Sequence, residues 1–518
     1  MNKSLLIIIF GLSGMAALIY EIIWIRPLTL VFGSSVYAVS TIISSFILGL
    51  AIGSWLAGKY SDRIKNHLKY FAVFQIGIGI YGLLLLPVFA SLPGVYLEAY
   101  HLTFPNQYLF QFTQILMSML LISIPATMMG TTLPLMVRAY SENFTTIGSD
   151  VGRLDAANST GAVFGTLAAG FVMLPLLGIQ DSIVITALIN FSIGIAILAK
   201  RHYVKYQYLV GVVILIVVIF WFVPGYDPET LNFGTYTYVH PGFSNEDRAK
   251  FLSIQELVFY KDSMYSTVMV TGTPDNTYLL TINGKIQCSN IEQSQKEIIR
   301  LSSFAFDAYN DNYGKPDNAL VVGLGCGANS NWFSDKLHTT TVEIDPAVVD
   351  ASKLFYSEIG QDLFIDDARN WLLRNDVKFD IIMGQPQDPY ENYGNLYTRE
   401  YFELLKSRLT ENGIVSQWGP IFEMSLNDFH IFYNTFHSVF PYVYIFQTNE
   451  GDTPQSLALL GSKKPLKIAE PTYYLGSHET FNPPDTIINS DNHNTLEYSS
   501  ALNLYQKYTK GFANATLN

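Results

Sequence analysis

The sequence predicts a membrane-spanning α-helical bundle of about seven spans, followed by a small β-domain and an α/β domain. Three observations carry this reading. Apolar runs long enough to cross about 30 Å of hydrocarbon crowd the first 225 residues. Charge divides the chain: residues 1–225 hold 11 Lys and Arg against 7 Asp and Glu, and residues 226–518 hold 20 against 36. From Ala319 the pattern becomes strand, glycine loop, helix, strand, the order of a nucleotide-binding α/β unit.

The apolar runs cover residues 5–25, 36–56, 70–92, 109–129, 156–177, 183–199 and 208–223. Lys3 and Ser13-Gly-Met-Ala-Ala give the first run the look of a signal peptide. Its apolar character continues to Ile25, past the ~7–15 residues of a signal core, so it reads as a span. In the fourth, a re-entrant turn near Pro125 is an alternative to a straight crossing. Loops after the second, fourth and sixth runs hold Lys59, Arg63, Lys65, Lys69, Arg138, Arg153, Lys200, Arg201 and Lys205, whereas Arg26 stands alone in the others. Basic loops stay inside, so the N-terminus is expected in the cytoplasm. An odd number of crossings then carries the C-terminal domain outside the cell membrane, with the lipid bilayer as the first partner. Gly49-x-x-x-Gly53 and Gly161-x-x-x-Gly165 put small residues on one helix face, where backbones approach closely. Glu21, an acid at a span end, reads as an interfacial pair with Arg26, with a role in moving or binding a polar ligand as the alternative.

An acidic soluble half repels phosphate backbones, which excludes nucleic acid as a partner and suits a small polar, amine-bearing substrate. The two cysteines, Cys288 and Cys326, are too few for a disulfide framework and lack metal-ligand spacing, so no metal site is expected. Cys326 reads as a small residue in a tight loop, and its pairing with Cys288 would require an oxidising compartment.

The expected divisions are a transmembrane domain over 1–225, a linker and small β-domain over 226–295, and a Rossmann-like domain with a C-terminal extension over 296–518. In the small domain, Ser266 to Thr271, Thr277 to Ile282 and Lys285 to Ser289 read as strands, with Asn283-Gly284 as a hairpin turn. In the large one, Gly323-Leu-Gly325-Cys-Gly327 permits close backbone approach to a ligand, and Val342-Glu343-Ile344-Asp345 places an acid at the end of the second strand, where a ribose diol would sit. Asp366-Asp367 follows a third strand as an adenine-amine acceptor, and a fourth opens into Gly384-Gln-Pro-Gln-Asp-Pro-Tyr390. Ligands bind at the carboxyl ends of such strands, so Glu343, Asp367 and the Gln385–Asp388 loop should converge. The plainer reading of Glu343 and Asp367 is that they cap helices or satisfy backbone amides, and of Gln385 and Asp388 turn formation beside Pro386 and Pro389.

Taken together, Asn283-Gly-Lys-Ile-Gln287, Gly323-Leu-Gly-Cys-Gly327, Val342-Glu-Ile-Asp345, Asp388-Pro, Asn395-Leu-Tyr-Thr-Arg-Glu-Tyr-Phe402, Gly413-Ile-Val-Ser-Gln-Trp418 and Asn489-Ser-Asp491 with Leu496-Glu-Tyr498 resemble the membrane-fused branch of the spermidine synthase family. Tyr20-Glu21-x-x-Trp24-x-Arg26 and Gly49-Leu-Ala-Ile-Gly53-Ser extend the resemblance into the first half. It implies a transferase of polyamine biosynthesis that uses S-adenosylmethionine or decarboxylated S-adenosylmethionine as donor, with a homodimer as an open assembly. By position, Gln287, Gly323, Gly325, Gly327, Glu343 and Asp367 would bind the donor. Asp388, Gln385 and Glu292 would occupy the catalytic positions, and Tyr265, Gln295 and Gln417 the substrate-binding ones.

Two residues depart from the family pattern. Gln385 stands where the family has the acid that deprotonates the acceptor amine, and an amide cannot take a proton from an ammonium near neutral pH. Ser266 stands where a Gln usually follows the first-strand Tyr. Rival readings are a non-catalytic sensor or transporter of nucleosides or polyamines, a repurposed domain acting on an extracytoplasmic glycan or peptide, and methyl transfer on the same fold.

Overall fold

The computed structural model describes residues 2–141, 146–200, 205, 210–211, 213–214, 217–218, 226–357, 359–385, 389, 393–450, 456–468, 473–484 and 486–503. The chain divides into two compact units: residues 1–32 with 38–236, and residues 33–37 with 237–518.

In the first unit, α1 (Lys3–Phe32), α2 (Val36–Tyr60), α3 (His67–Thr103), α4 (Gln107–Tyr140), α5 (Ile147–Ala168) and α6 (Leu174–Lys200) form the bundle. The expectation of seven separate spans is corrected here. Five helical stretches among the described residues are long and apolar enough to cross a membrane, and the last runs Ile147–Lys200. The expected fifth and sixth spans are joined through a π-helical turn, Ala169–Met173, and the chain departs from helix only at Gly178, with φ 72° and ψ −175°. Only Gly178-Ile-Gln-Asp-Ser182 stands between them, and Gly178 is the residue that leaves helical angles. The expected seventh run, 208–223, falls largely outside the described residues. Helix α4 continues past Pro125 and Pro134, which removes the re-entrant alternative.

Side-chain register gives each helix a direction. Gln75 Nε2 donates to Ser13 Oγ at 2.5 Å, and Gly82 packs on Tyr20, so α1 and α3 run parallel. Gly161 meets Gly11 and Gly165 meets Met15, so α5 shares that direction. Tyr81 donates to the Leu121 carbonyl and Gly77 faces Met128, so α4 is antiparallel to α3; Gly79 against Phe191 and Ile76 against Gly194 make α6 antiparallel as well. The spaced glycines do what their pattern predicts. A Cβ at Gly161 would overlap the Gly11 carbonyl, one at Gly53 the Thr127 carbonyl, and Ser54 Oγ donates to the Gly130 carbonyl at 3.0 Å across the α2–α4 contact.

One end of the bundle is basic. Lys3 Nζ lies 5.1 Å from the Tyr140 ring centroid, Arg138 pairs with Asp62, and Lys200 lines a groove with Leu5. At the centre a polar cavity of about 80 Å³ is lined from all of α1 to α6, including Ser13, Gln75, Thr132, Asn158 and Asn190.

The second unit opens with a four-stranded antiparallel meander, β1 (Glu256–Asp262), β2 (Thr267–Gly272), β3 (Tyr278–Ile282) and β4 (Lys285–Ser289). The Asn283-Gly284 turn adopts φ 50° and 81°, the left-handed pair that a two-residue hairpin requires. The main sheet has eight strands: β5 (Asn318–Val322), β6 (His338–Glu343), β7 (Asp362–Ile365), β8 (Phe379–Gly384), β9 (Leu409–Gly419), β10 (Tyr442–Gln447), β11 (Leu457–Ser462) and β12 (Tyr474–Ser477). Their order is β12-β10-β11-β9-β8-β5-β6-β7, parallel from β9 to β7 and antiparallel beyond β9. Both faces are covered, which explains the unbroken apolar run Ala319-Leu-Val-Val322. Ala319 and Val321 pack with Leu301 and Phe304 of α7 (Glu292–Tyr313), while Leu320 and Val322 join Phe402 and Phe432 on the other face. Strand order reverses between β5 and β8, and the crevice at their carboxyl ends is where such a sheet takes ligands.

Candidate functional site

A cavity of about 580 Å³ opens at that crevice. Its floor is the glycine loop after β5. Gly323, Gly325 and Gly327 hold φ of 85°, 54° and 93°, values that only glycine adopts without strain, and a side chain at Gly323 would crowd the Gln385 carbonyl at 3.1 Å. Gly327 precedes α8 (Ala328–Ser334).

Glu343 ends β6 facing this loop. The Leu324 N–H donates to its Oε2 at 2.8 Å and the Asp345 N–H to its Oε1 at 2.9 Å. Burial nonetheless pushes the carboxyl up to about 7, because desolvation outweighs the two amides. Asp345 accepts from Ser263 Oγ at 2.6 Å, Ser266 Oγ at 2.5 Å and the Ala347 N–H at 2.8 Å, capping α9 (Pro346–Ser352) and tying the small sheet to the large one. Ser266 thus has a structural bond while lining the cavity. Asp367 accepts from the Asn370 N–H at 2.8 Å as N-cap of α10 (Ala368–Arg374), and Asp366 pairs with Arg374. Glu343 and Asp367 therefore satisfy backbone amides and line the cavity at once, and of the two Asp367 caps a helix.

The structure brings Gln287, Gly323, Gly325, Glu343, Asp367 and Gln385 together on the cavity wall. Gln287 Nε2 is buried without a hydrogen-bond partner among the described residues, an amide donor left for a ligand. Gln385 Oε1 accepts from Asn329 Nδ2 at 2.8 Å, and Asn329 Oδ1 accepts from Ser302 Oγ at 2.7 Å.

Other expected residues stand elsewhere. The Glu292 side chain is 82% exposed and pairs with Lys296 at 2.6 Å on the first turn of α7, off the cavity wall. Gln295 donates to the Ser289 carbonyl and accepts from Tyr356 Oη at 2.5 Å, a brace behind the site. Tyr265 is exposed, and it too is absent from the wall. Gln417 is fully buried on β9 behind Gly384, with neither amide atom partnered among the described residues. Gly327 adjoins the cavity through Cys326 without lining it. Asp388 lies outside the described residues.

Sequence reasoning missed Glu297, which lines the cavity with Ser294, Ile298 and Leu301 of α7. The signal was helical spacing, since these positions share one face of the helix that begins at Glu292. Cys288 and Cys326 also face the cavity, and they form a disulfide with Cα atoms 6.3 Å apart, joining β4 to the glycine loop. Among the described residues no group of three His, Cys, Asp or Glu side chains gathers in a way that could hold a metal.

Comparison with known proteins follows the same division of the chain. The family described as the spermine/spermidine synthase domain matches residues 312–460. The polyamine aminopropyltransferase of Oceanobacillus iheyensis is 22% identical over 436 residues, covering 80% of this chain and 77% of that protein. The protein of the same name from Mycobacterium tuberculosis is 23% identical over 439 residues, covering 80% and 76%. The crystal structure of spermidine synthase from Thermotoga maritima aligns at 16% identity and a TM-score of 0.33, covering 47% of this chain and 84% of that one. With the glycine loop and the acids of β6 and β7 lying inside the matched segment, the C-terminal part of this chain carries a spermine/spermidine synthase domain.

Proposed function

We propose that this domain is a transferase moving a group from a sulfonium nucleoside of the S-adenosylmethionine type, decarboxylated for aminopropyl transfer, to an amine-bearing acceptor. The observation that carries this reading is the convergence of Glu343, Asp367 and the unpartnered Gln287 amide on one cavity beside the glycine loop. The named relatives, polyamine aminopropyltransferases matched over most of their length, add support.

In this reading Glu343 accepts from the ribose hydroxyls and Asp367 from the adenine amine, and Gln287 donates to the donor's tail. The acceptor nitrogen attacks the methylene next to sulfur, and the thioether leaves. Positioning supplies most of the acceleration, because holding both partners in line replaces a bimolecular encounter. The test is calorimetric titration of the full-length protein in detergent with S-adenosylmethionine, its decarboxylated form and methylthioadenosine. Micromolar affinity for at least one is expected, and failure to bind all three overturns the proposal.

We place the domain on the extracytoplasmic side. The basic end of the bundle, with Lys3, Arg138 and Lys200, suits the cytoplasm. Gly178, at the start of α6, lies a full helix length from Lys200, and the Tyr226 N–H donates to Gln180 Oε1 at 2.8 Å beside it. Tyr226 thus stands at the opposite end of α6 from Lys200. The Cys288–Cys326 disulfide fits the oxidising compartment this implies.

A second reading, that the bundle itself binds a small polar solute, draws support from the central cavity. Gln75 Oε1 and Asn190 Nδ2 are buried there without partners among the described residues, and such groups are costly within a membrane.

A further inference from the structure

We infer that Glu297 is the carboxylate of the acceptor-amine subsite, taking over the role that Gln385 cannot perform; this rests on the transferase reading above. Among the described residues the acids of the cavity wall are Glu297, Glu343, Asp345, Asp366 and Asp367. All but Glu297 come from the ends of β6 and β7, and each is engaged: Glu343 by two backbone amides, Asp345 by two serines and a helix N-terminus, Asp366 by Arg374, Asp367 by the cap of α10. Glu297 comes from the opposite element, α7, where its Oε1 accepts from Gln293 Nε2 at 3.1 Å, a bond within the same helix.

Its helix also leads to Gln385. One turn further along α7, the Leu301 carbonyl accepts from Ser416 Oγ at 2.7 Å, and Ser302 begins the relay through Asn329 to Gln385. Glu297 and Gln385 are thus tied to the same stretch of helix, and the nucleoside acids stand at the ends of β6 and β7. The Gln385 amide oxygen is already engaged by Asn329, and among the described residues Glu297 is the wall acid that stands on the helix from which this relay starts.

The chemistry balances with one carboxylate. An acceptor ammonium gives a proton to Glu297, and its nitrogen lone pair forms the new C–N bond as the C–S bond breaks. The sulfur leaves with that electron pair as a neutral thioether, and Glu297 returns the proton to solvent. No further reactant is needed.

The test uses full-length protein in detergent, saturated with methylthioadenosine, and reads calorimetric affinity for putrescine as the probe amine. Glu297→Gln is expected to lower putrescine affinity about 10- to 100-fold, the range for losing a charge-assisted bond, with methylthioadenosine affinity unchanged; Glu297→Asp should recover part of the loss. Unchanged putrescine affinity in Glu297→Gln overturns the inference, as does an equal loss of methylthioadenosine affinity, which would make the residue structural. Wild-type protein that binds methylthioadenosine but not putrescine also overturns it and leaves the nucleoside site standing. Wild-type protein that binds neither overturns the transferase reading along with it.

Discussion

The Asn329 amide donates to the Gln385 side-chain oxygen at 2.8 Å, so the Gln385 amide is held in place by a relay that begins at Ser302. An aspartate at 385 would keep an acceptor for Asn329 and add a second, basic oxygen. In a Glu297→Gln background, Gln385→Asp is therefore expected to raise aminopropyl transfer to putrescine, recovering part of the ~10²–10⁴-fold that base catalysis supplies. Product formation from decarboxylated S-adenosylmethionine checks this, and a rate no higher than that of Glu297→Gln alone would show that position 385 does not face the acceptor.

Nucleoside affinity should depend on Glu343 and Asp367 in separable ways. Each substitution to the amide, Glu343→Gln or Asp367→Asn, removes a charge-assisted acceptor and should cost about 1.5–3 kcal/mol in methylthioadenosine binding. Asn is as good an N-cap as Asp, so Asp367→Asn should leave the melting temperature of the domain nearly unchanged. Affinity unaltered in both variants would remove these residues from the ligand.

The buried Glu343 carboxyl also makes binding sensitive to pH. Its folded value of about 7 lies above the ordinary 4.5, so the folded state holds this proton more tightly than the unfolded chain. The stability it contributes is complete below pH 4.5 and is lost as pH rises through about 7. Ribose hydroxyls would stabilise the ionised form, so methylthioadenosine binding at pH 6.5 to 7 should release a fraction of a proton. Calorimetry in buffers of different ionisation enthalpy measures that release, and Glu343→Gln should abolish it.

Topology can be read with single cysteines in a Cys288→Ser, Cys326→Ser background. An impermeant maleimide on intact cells should label a cysteine at Asn518 and spare one at Lys65. Protection of Asn518 until lysis would put the domain in the cytoplasm.

Bundle packing should fail at Gly161. A Cβ there meets the Gly11 backbone carbonyl, and backbone cannot step aside as a flexible side chain can. Gly161→Val is expected to lower the melting temperature of the detergent-solubilised protein by several degrees or prevent its accumulation, a cost of about 1–3 kcal/mol or more. Gly148→Val, at a position with open space around it, serves as the control.

The strand and glycine pattern of the soluble half was legible because it is local. Asn283-Gly284 can only turn, and Ala319-Leu-Val-Val322 followed by glycines can only be a strand buried on both faces entering a ligand loop. Glu343 and Asp367 could be placed because strand ends converge in this topology. Glu292 and Glu297 could not be told apart, since five residues of helix separate an exposed acid from one on the cavity wall and only the rotation of α7 decides between them. The span count went astray for a related reason. Hydropathy registers apolar length, but the break at Gly178 rests on one residue's backbone angles. The disulfide depends on β4 meeting the glycine loop across 38 positions of sequence, a pairing that no spacing rule reveals.

Asp345 has a consequence beyond holding a helix end. Because it grips Ser263 and Ser266 while its own N–H binds Glu343, the loop that would cover a nucleoside is already set before any ligand arrives. Little conformational entropy remains to be lost on docking. A nucleoside should therefore meet a rigid socket, associating at a rate set by diffusion and orientation, with differences among nucleoside analogues appearing in how slowly they leave.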